Sequence, residues 1–475
     1  MVQSLRGHLL NMRLFEILLL IALLLPLLWL LVNRKRPHWL LILPGLATLF
    51  TALHLAFEGY RWQMVPAYAL TAVFFILALR WRDTKFQPPH LAWLGALLGL
   101  LVWLVALALP LAMPVPILPG PTGPYAVGTF TTYLVDENRL ENYTEDPTDN
   151  RELVVQVWYP AANRDGEPAQ YLPDLDVAGP VIAEQFGLPA FLLTHVNLTE
   201  LDIWLDVPVA TEGAPFPVII FSHGLTGIRM QNTTMVRELA SHGYVVAAVE
   251  HSYANALTIF PDGRVIVYNP SRIFPSGESN PVEANPLVKT WANDIAFLLD
   301  TMAEWNGEAG QLLNGRLNLN QVGIFGHSTG GGATMQFCLQ DDRCQAGVGL
   351  DSWLLPVGDT VLEAGPSQPF MFISSPRWLG ETNRARGLAI FNNLSADGYN
   401  LTLADTEHYD FTDLALLSPL TPQLGLSGSI NSAYSLSIQN EYLLAFFDQY
   451  LRERPSALLA QPSPYPELTI ERTLK

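Results

Sequence analysis

Ser328 sits in Gly326-His327-Ser328-Thr329-Gly330, the G-x-S-x-G spacing of an activated nucleophile. An apolar run, Gln321-Val322-Gly323-Ile324-Phe325, comes before it, and Ala333-Thr334-Met335-Gln336-Phe337 reads as helix after it. A serine on a tight strand-to-helix turn projects its hydroxyl outward, and Gly326 and Gly330 remove side chains that would crowd that turn. The new helix aims its first amides at the place where an oxyanion forms. A serine hydroxyl needs a base, and in this architecture the chain order is Ser, acid, His. His408 is the one histidine downstream of Ser328, in the loop Asp405-Thr406-Glu407-His408-Tyr409-Asp410-Phe411. For the acid, Asp351 ends the apolar run Gly347-Val348-Gly349-Leu350, whereas Asp405 and Asp410 lie too near His408 to reach it from an opposite strand. The usual position, after residues 370–374, holds Ser375-Pro376-Arg377-Trp378 and no carboxylate. An oxyanion hole needs two amides. Thr329 supplies one, and Leu225 supplies the other from Phe221-Ser222-His223-Gly224-Leu225, where Gly224 permits close approach. His223, His251 and His327 read as scaffold residues. The chemistry is acyl transfer, with neither cofactor nor metal expected.

These residues need a sheet to hold them. Runs at 128–135, 153–158, 217–222, 244–249, 347–350, 370–374 and 399–403 read as strands. Helical spacing fills 231–242, 287–305 and 435–452. Strands alternating with helices after an opening hairpin predict a doubly wound, mainly parallel α/β sheet. Residues 171–205 break the rhythm and read either as a lid or acyl-pocket wall or as an irregular insertion.

The N-terminal part is of another kind. Apolar stretches at 14–32, 38–57, 62–79 and 91–111 each approach the ~20 residues that cross a bilayer core, so a bundle of four transmembrane helices is expected. The first stretch lacks a small-x-small cleavage site and is followed by Asn33-Arg34-Lys35-Arg36, which favours a retained span over a signal peptide. Arg34, Lys35 and Arg36, with Arg80, Arg82 and Lys85, outnumber Arg6, Arg13 and Arg61, which predicts both termini outside the cytoplasm. The expected division is a membrane domain at 1–112, a Pro/Gly-rich spacer at 113–124 and a catalytic domain at 125–475. Residues 1–112 carry nine basic and three acidic side chains, +6, which leaves −24 for the rest of a chain whose total is −18. Such acidity argues against a nucleic-acid partner. Cys338 and Cys344 are candidates for a small disulfide, with two buried thiols as the alternative.

Three stretches carry a resemblance to a known family: 217–251 (PVIIFSHGLTGIRMQNTTMVRELASHGYVVAAVEH), 322–332 (VGIFGHSTGGG) and 347–359 (GVGLDSWLLPVGD). Together with the His408 loop they make residues 125–455 similar to the platelet-activating-factor acetylhydrolases of the plasma, lipoprotein-associated phospholipase type, within the α/β-hydrolase superfamily. The resemblance implies a serine esterase acting on short or modified acyl esters, sn-2 phospholipid esters among them. Ser328 is then nucleophile, Asp351 the acid, His408 the base, and Leu225 and Thr329 the oxyanion amides. Thr329 stands where the family commonly has Phe, and the apolar N-terminus has no counterpart in the plasma enzyme. Polyester hydrolases, cutinases and general carboxylesterases share much of this motif set. A reading from another class is a membrane sensor whose hydrolase-like domain only binds a ligand.

Overall fold

The computed structural model describes residues 12–32, 38–81, 92–358 and 365–475, so the basic connections at 33–36 and 82–85 lie outside the described residues. The chain forms two compact units. The first takes Met1–Ile117, Asp174–Thr199 and Leu417–Leu420, and the second takes Leu118–Pro173, Glu200–Leu416 and Thr421–Lys475.

In the first unit, α1 (Leu14–Val32), α2 (Ile42–Leu53), α3 (Val65–Trp81) and α4 (Ala92–Ala112) pack together. Leu19, Leu23, Leu27, Ala47, Ala67 and Leu70 fill their interior, while Ile21, Leu25, Val73, Ile76 and Leu101 face outward and exposed. These helices are therefore apolar on both faces. Three of them are long and apolar enough to cross a bilayer. The stretch expected as a fourth span is shorter and interrupted. A 3₁₀ turn, His38–Leu41, precedes α2, and a π turn, His54–Glu58, follows it. In that turn His54 Nδ1 pairs with Glu58 Oε2 at 2.8 Å and Nε2 with the Tyr68 hydroxyl at 2.7 Å. Gly59, at φ 79°, then ends the helix. Residues 174–199 of the segment that broke the sequence rhythm belong here. They carry α5 (Leu175–Gln185), and Phe191 meets the Trp62 ring edge-on at 5.0 Å. The Trp62 indole N–H donates to Leu192 O at 3.2 Å, and His195 Nε2 lies 3.1 Å from Pro114 O.

The second unit is built on a ten-stranded sheet. Its strands are β1 (Ala126–Leu140), β2 (Asn150–Ala161), β3 (Ile203–Leu205), β4 (Phe216–Ser222), β5 (Val245–Glu250), β8 (Leu317–His327), β9 (Ala346–Leu350), β10 (Phe370–Ser374), β11 (Gly398–Leu403) and β12 (Leu468–Thr473). A separate hairpin pairs β6 (Leu257–Ile259) with β7 (Val265–Val267). The order across the large sheet is β12-β11-β10-β9-β8-β4-β5-β2-β1-β3, parallel from β5 through β11, with antiparallel pairs β11/β12, β2/β5 and β1/β2. The crossover helices are α6 (Thr233–Ser241), α7 (Pro281–Gly307), α8 (Thr329–Gln340) and α9 (Gly380–Asn393), and α10 (Ser432–Leu451) follows β11.

Alternation along β8 joins both layers of helices. Val322 and Ile324 share a core with Ile295 and Leu298 of α7 and with Met335 and Phe337 of α8. Phe325, which points the other way, meets Phe221 at 4.8 Å and Phe447 of α10 at 6.4 Å. From Val322 onward β8 is buried on both faces, and this apolar second half delivers Ser328 to the sheet's C-terminal edge. One boundary between the units lies at Ile117/Leu118, while Asp174–Thr199 and Leu417–Leu420, placed by the sequence reading in the catalytic domain, group with the helices. Gln63 donates to Met113 O at 3.0 Å, while the amides of Thr122 and Tyr125 donate to Glu238 at 2.8 Å and Ser241 O at 3.0 Å on α6. Cys338 and Cys344 are joined as a disulfide between α8 and β9.

Candidate active site

Ser328 lies between β8 and α8 with φ 56° and ψ −119°, a backbone conformation that a side-chain-bearing residue adopts only when its surroundings impose it. The imposition is visible. Its N–H donates to Leu350 O at 2.9 Å, and its carbonyl accepts the Trp353 N–H at 2.8 Å, so the turn is clamped to β9. A Cβ on Gly326 would collide with the Gly330 carbonyl, and one on Gly330 with that of Ser222. Both glycines are sterically required. Thr329 is the first residue of α8, where helix geometry leaves its N–H without an intrahelical acceptor.

Asp351 follows β9 at φ 43° and is fully buried. One carboxylate oxygen, Oδ2, lies 2.7 Å from His408 Nδ1. The other accepts the Ser375 N–H at 2.8 Å and its hydroxyl at 2.9 Å. Burial pushes Asp351 above the usual carboxylate range, and the two Ser375 donors oppose it by favouring the charged form. Burial likewise holds His408 well below its ordinary value, so the imidazole is neutral at pH 7. With Nδ1–H donated to a carboxylate, Nε2 carries the lone pair.

The loop bearing His408 is fixed from several sides. Trp378 stacks on its ring at 3.3 Å and 6°. Asp410, a rival for the acid's place, instead accepts the N–H of Glu407 at 2.8 Å and that of Gly428 at 2.6 Å. His327 bridges to the opposite loop. Its Nε2–H donates to His408 O at 3.2 Å while its Nδ1 accepts from Gln231 Nε2 at 3.0 Å. Gln231 Oε1 in turn takes the Gly224 N–H at 3.4 Å. Gly224 lies against the serine, since a Cβ there would stand 3.2 Å from Ser328 Cβ. Ser328, Asp351, His408 and Gly224 thus follow β8, β9, β11 and β4 at one edge of the sheet. Ser375, Trp378 and Gln231 were not singled out; the position of Ser375-Pro376-Arg377-Trp378 directly after β10 was the signal that could have found two of them.

Among the described residues, one group of acidic and imidazole side chains is close enough to share an ion: Glu16, His54 and Glu58, in the first unit. Arg13 Nη2 and Arg61 Nε already lie 2.8 Å and 3.3 Å from Glu16, which commits that carboxylate elsewhere.

A mainly parallel sheet with a serine on a strained strand-to-helix turn defines an α/β-hydrolase. The solved ferulic acid esterase of Streptomyces cinnamoneus shares the fold at TM-score 0.61 and 26% identity, over 75% of this chain and 99% of that one. The model of the family described as platelet-activating factor acetylhydrolase, isoform II, matches residues 114–262 and 302–455, so the chain belongs to that family. The platelet-activating factor acetylhydrolase of Cavia porcellus is 27% identical over 358 residues, 70% of this chain and 78% of the relative. A probable 1-alkyl-2-acetylglycerophosphocholine esterase of Arthroderma benhamiae is 24% identical over 74% of this chain and 93% of its own length. This chain is a carboxylic ester hydrolase of the serine type.

Proposed function

We propose that the protein is a membrane-anchored serine esterase that cleaves short or modified acyl esters, sn-2 phospholipid esters included, through Ser328, His408 and Asp351. The observation that carries this reading is the 2.7 Å Asp351–His408 pair beside a serine held at φ 56°. In the mechanism, neutral His408 takes the Ser328 proton as the hydroxyl attacks the ester carbonyl. Asp351 stabilises the imidazolium that forms, and the amides of Leu225 and Thr329 receive the oxyanion. His408 returns the proton to the leaving alcohol, and water then releases the acyl group by the same steps in reverse order. Membrane anchoring is supported by three helices long and apolar enough to span and by their exposed apolar outer faces. The charge balance of their connections favours a catalytic unit outside the cytoplasm, with outer-leaflet lipids or incoming esters as substrates.

The test uses the full chain. A fluorophosphonate probe is expected to label wild type at Ser328 and to leave Ser328→Ala unlabelled and inactive on p-nitrophenyl esters from acetate to palmitate. Wild-type protein with native circular dichroism that takes up no probe would refute the triad. A rate that climbs steadily toward palmitate would remove the short-acyl preference.

A further inference from the structure

Behind the Gly224 loop lies a second Ser-His-Asp connection. Ser222 Oγ is 2.9 Å from His251 Nε2, and His251 Nδ1 is 2.8 Å from Asp294 Oδ2. Ser222, His251 and Asp294 are all wholly buried, so no ester reaches them. Arg151 holds Asp294 by two bonds, at 3.1 and 2.7 Å, and Arg139 adds a third contact at 2.9 Å. Trp291 stacks on the His251 ring at 4.1 Å and 5°. The Arg-held Asp294 stays ionised and accepts the Nδ1–H of His251, so Nε2 accepts from Ser222.

This array grips the loop through His223. The His251 N–H donates to His223 Nε2 at 3.1 Å, which puts the His223 proton on Nδ1. That proton is donated to Gly224 O at 2.7 Å, and the Gly227 N–H reaches the same oxygen at 2.8 Å. A trans peptide is planar, with C=O and the following N–H pointing in opposite directions. Two donors on the Gly224 carbonyl therefore aim the Leu225 N–H.

We infer that His223, held by His251 and Asp294, is a positioning residue for oxyanion stabilisation and acts through the Gly224–Leu225 peptide. The inference rests on the reading of Leu225 as an oxyanion donor. Its consequence is selective. Losing His223 weakens binding of the developing oxyanion more than it weakens binding of the ester in the ground state.

The test compares a short acetyl ester with its thionoester, whose developing sulfur anion accepts N–H bonds poorly, using the purified full chain. Wild type is expected to favour the oxygen ester strongly. In His223→Leu, kcat/KM for the oxygen ester should drop about ten- to a hundredfold, less than the loss of about 10²–10³ seen when a whole donor is removed. KM should change little, and the thionoester rate should fall far less, so the oxygen-to-sulfur ratio collapses. His223→Asn, whose amide nitrogen can take the place of Nδ1, should restore most of the ratio. Equal losses on both substrates in a folded Leu variant, or an Asn variant no better than Leu, would overturn the inference. If His223→Leu does not fold, the Asn variant decides alone, with a kept ratio in support and a lost one against. A wild-type ratio no larger than that of hydroxide-catalysed hydrolysis would instead refute the Leu225 assignment itself.

Discussion

At the scale of single residues, the site buries an imidazole, which burial keeps neutral, against a carboxylate whose charged form burial opposes and two Ser375 donors favour. Ser375 supplies both hydrogen bonds to the Asp351 oxygen that faces away from His408. Removing its hydroxyl takes away about 1.5–3 kcal/mol of hydrogen bonding to a charged group, part of which the backbone N–H and solvent recover. Ser375→Ala is expected to lower kcat about tenfold without changing the length of ester preferred, as measured across the p-nitrophenyl series. The pH profile has a definite sign. Burial depresses His408 below its ordinary value of 6.5, so the base form persists below that pH and is lost only as pH falls toward the lowered value. The acid limb of kcat/KM should therefore lie below pH 6.5, and a limb at or above 6.5 would contradict the buried base. Ser328, Asp351 and His408 were legible because a motif, a strand end and a shortage of histidines singled them out. Ser375, Trp378 and Gln231 act through contacts 24, 30 and 96 residues or more away in sequence. The place of Ser375 and Trp378 directly after β10 was the one local hint, and Gln231 had none.

Elements were legible where burial imposes a period. Strands buried on both faces, such as β4 and β5, declare themselves as apolar runs, and α7 does so by its stripe of Ile295, Leu298, Leu299 and Met302. The edge of the sheet was less legible. β1 extends through Asp136-Glu137-Asn138 to Leu140, beyond the expected 128–135, because past its short pairing with β3 it has a strand neighbour on one side only, and such a stretch needs no apolar residues to keep its backbone bonds. Hydropathy also could not reveal the interruption at 54–58, since it reports burial and says nothing of hydrogen-bond register. The disulfide at the end of α8 makes an element-scale prediction. Bridging residues six apart removes about 2 kcal/mol of unfolded-chain entropy on a loop-closure estimate. Reduction, or Cys338→Ser with Cys344→Ser, should lower Tm by a few degrees and leave kcat within about twofold. A large loss of activity with unchanged Tm would mean that the bridge acts on the site and not on stability.

At the scale of the whole chain, the sequence announced two kinds of protein in succession but not how the second returns to the first. In the proposed topology, protease added to intact cells or spheroplasts should remove the esterase and leave a membrane-embedded N-terminal fragment. Protection until lysis would put the esterase in the cytoplasm. The assignment of Asp174–Thr199 and Leu417–Leu420 to the helical unit carries a further consequence, for biosynthesis. The four N-terminal helices leave the ribosome first, yet the edge of Phe191 on Trp62 and the Ser418 hydroxyl bond to Ala112 O at 2.6 Å must wait for later chain. At ordinary rates of synthesis, that wait lasts roughly tens of seconds. During it, a newborn bundle stands unfinished, with Trp62 and the end of α4 still lacking their partners. A gene cut at the spacer would make that interval permanent, stranding Phe191 and its neighbours on the released esterase.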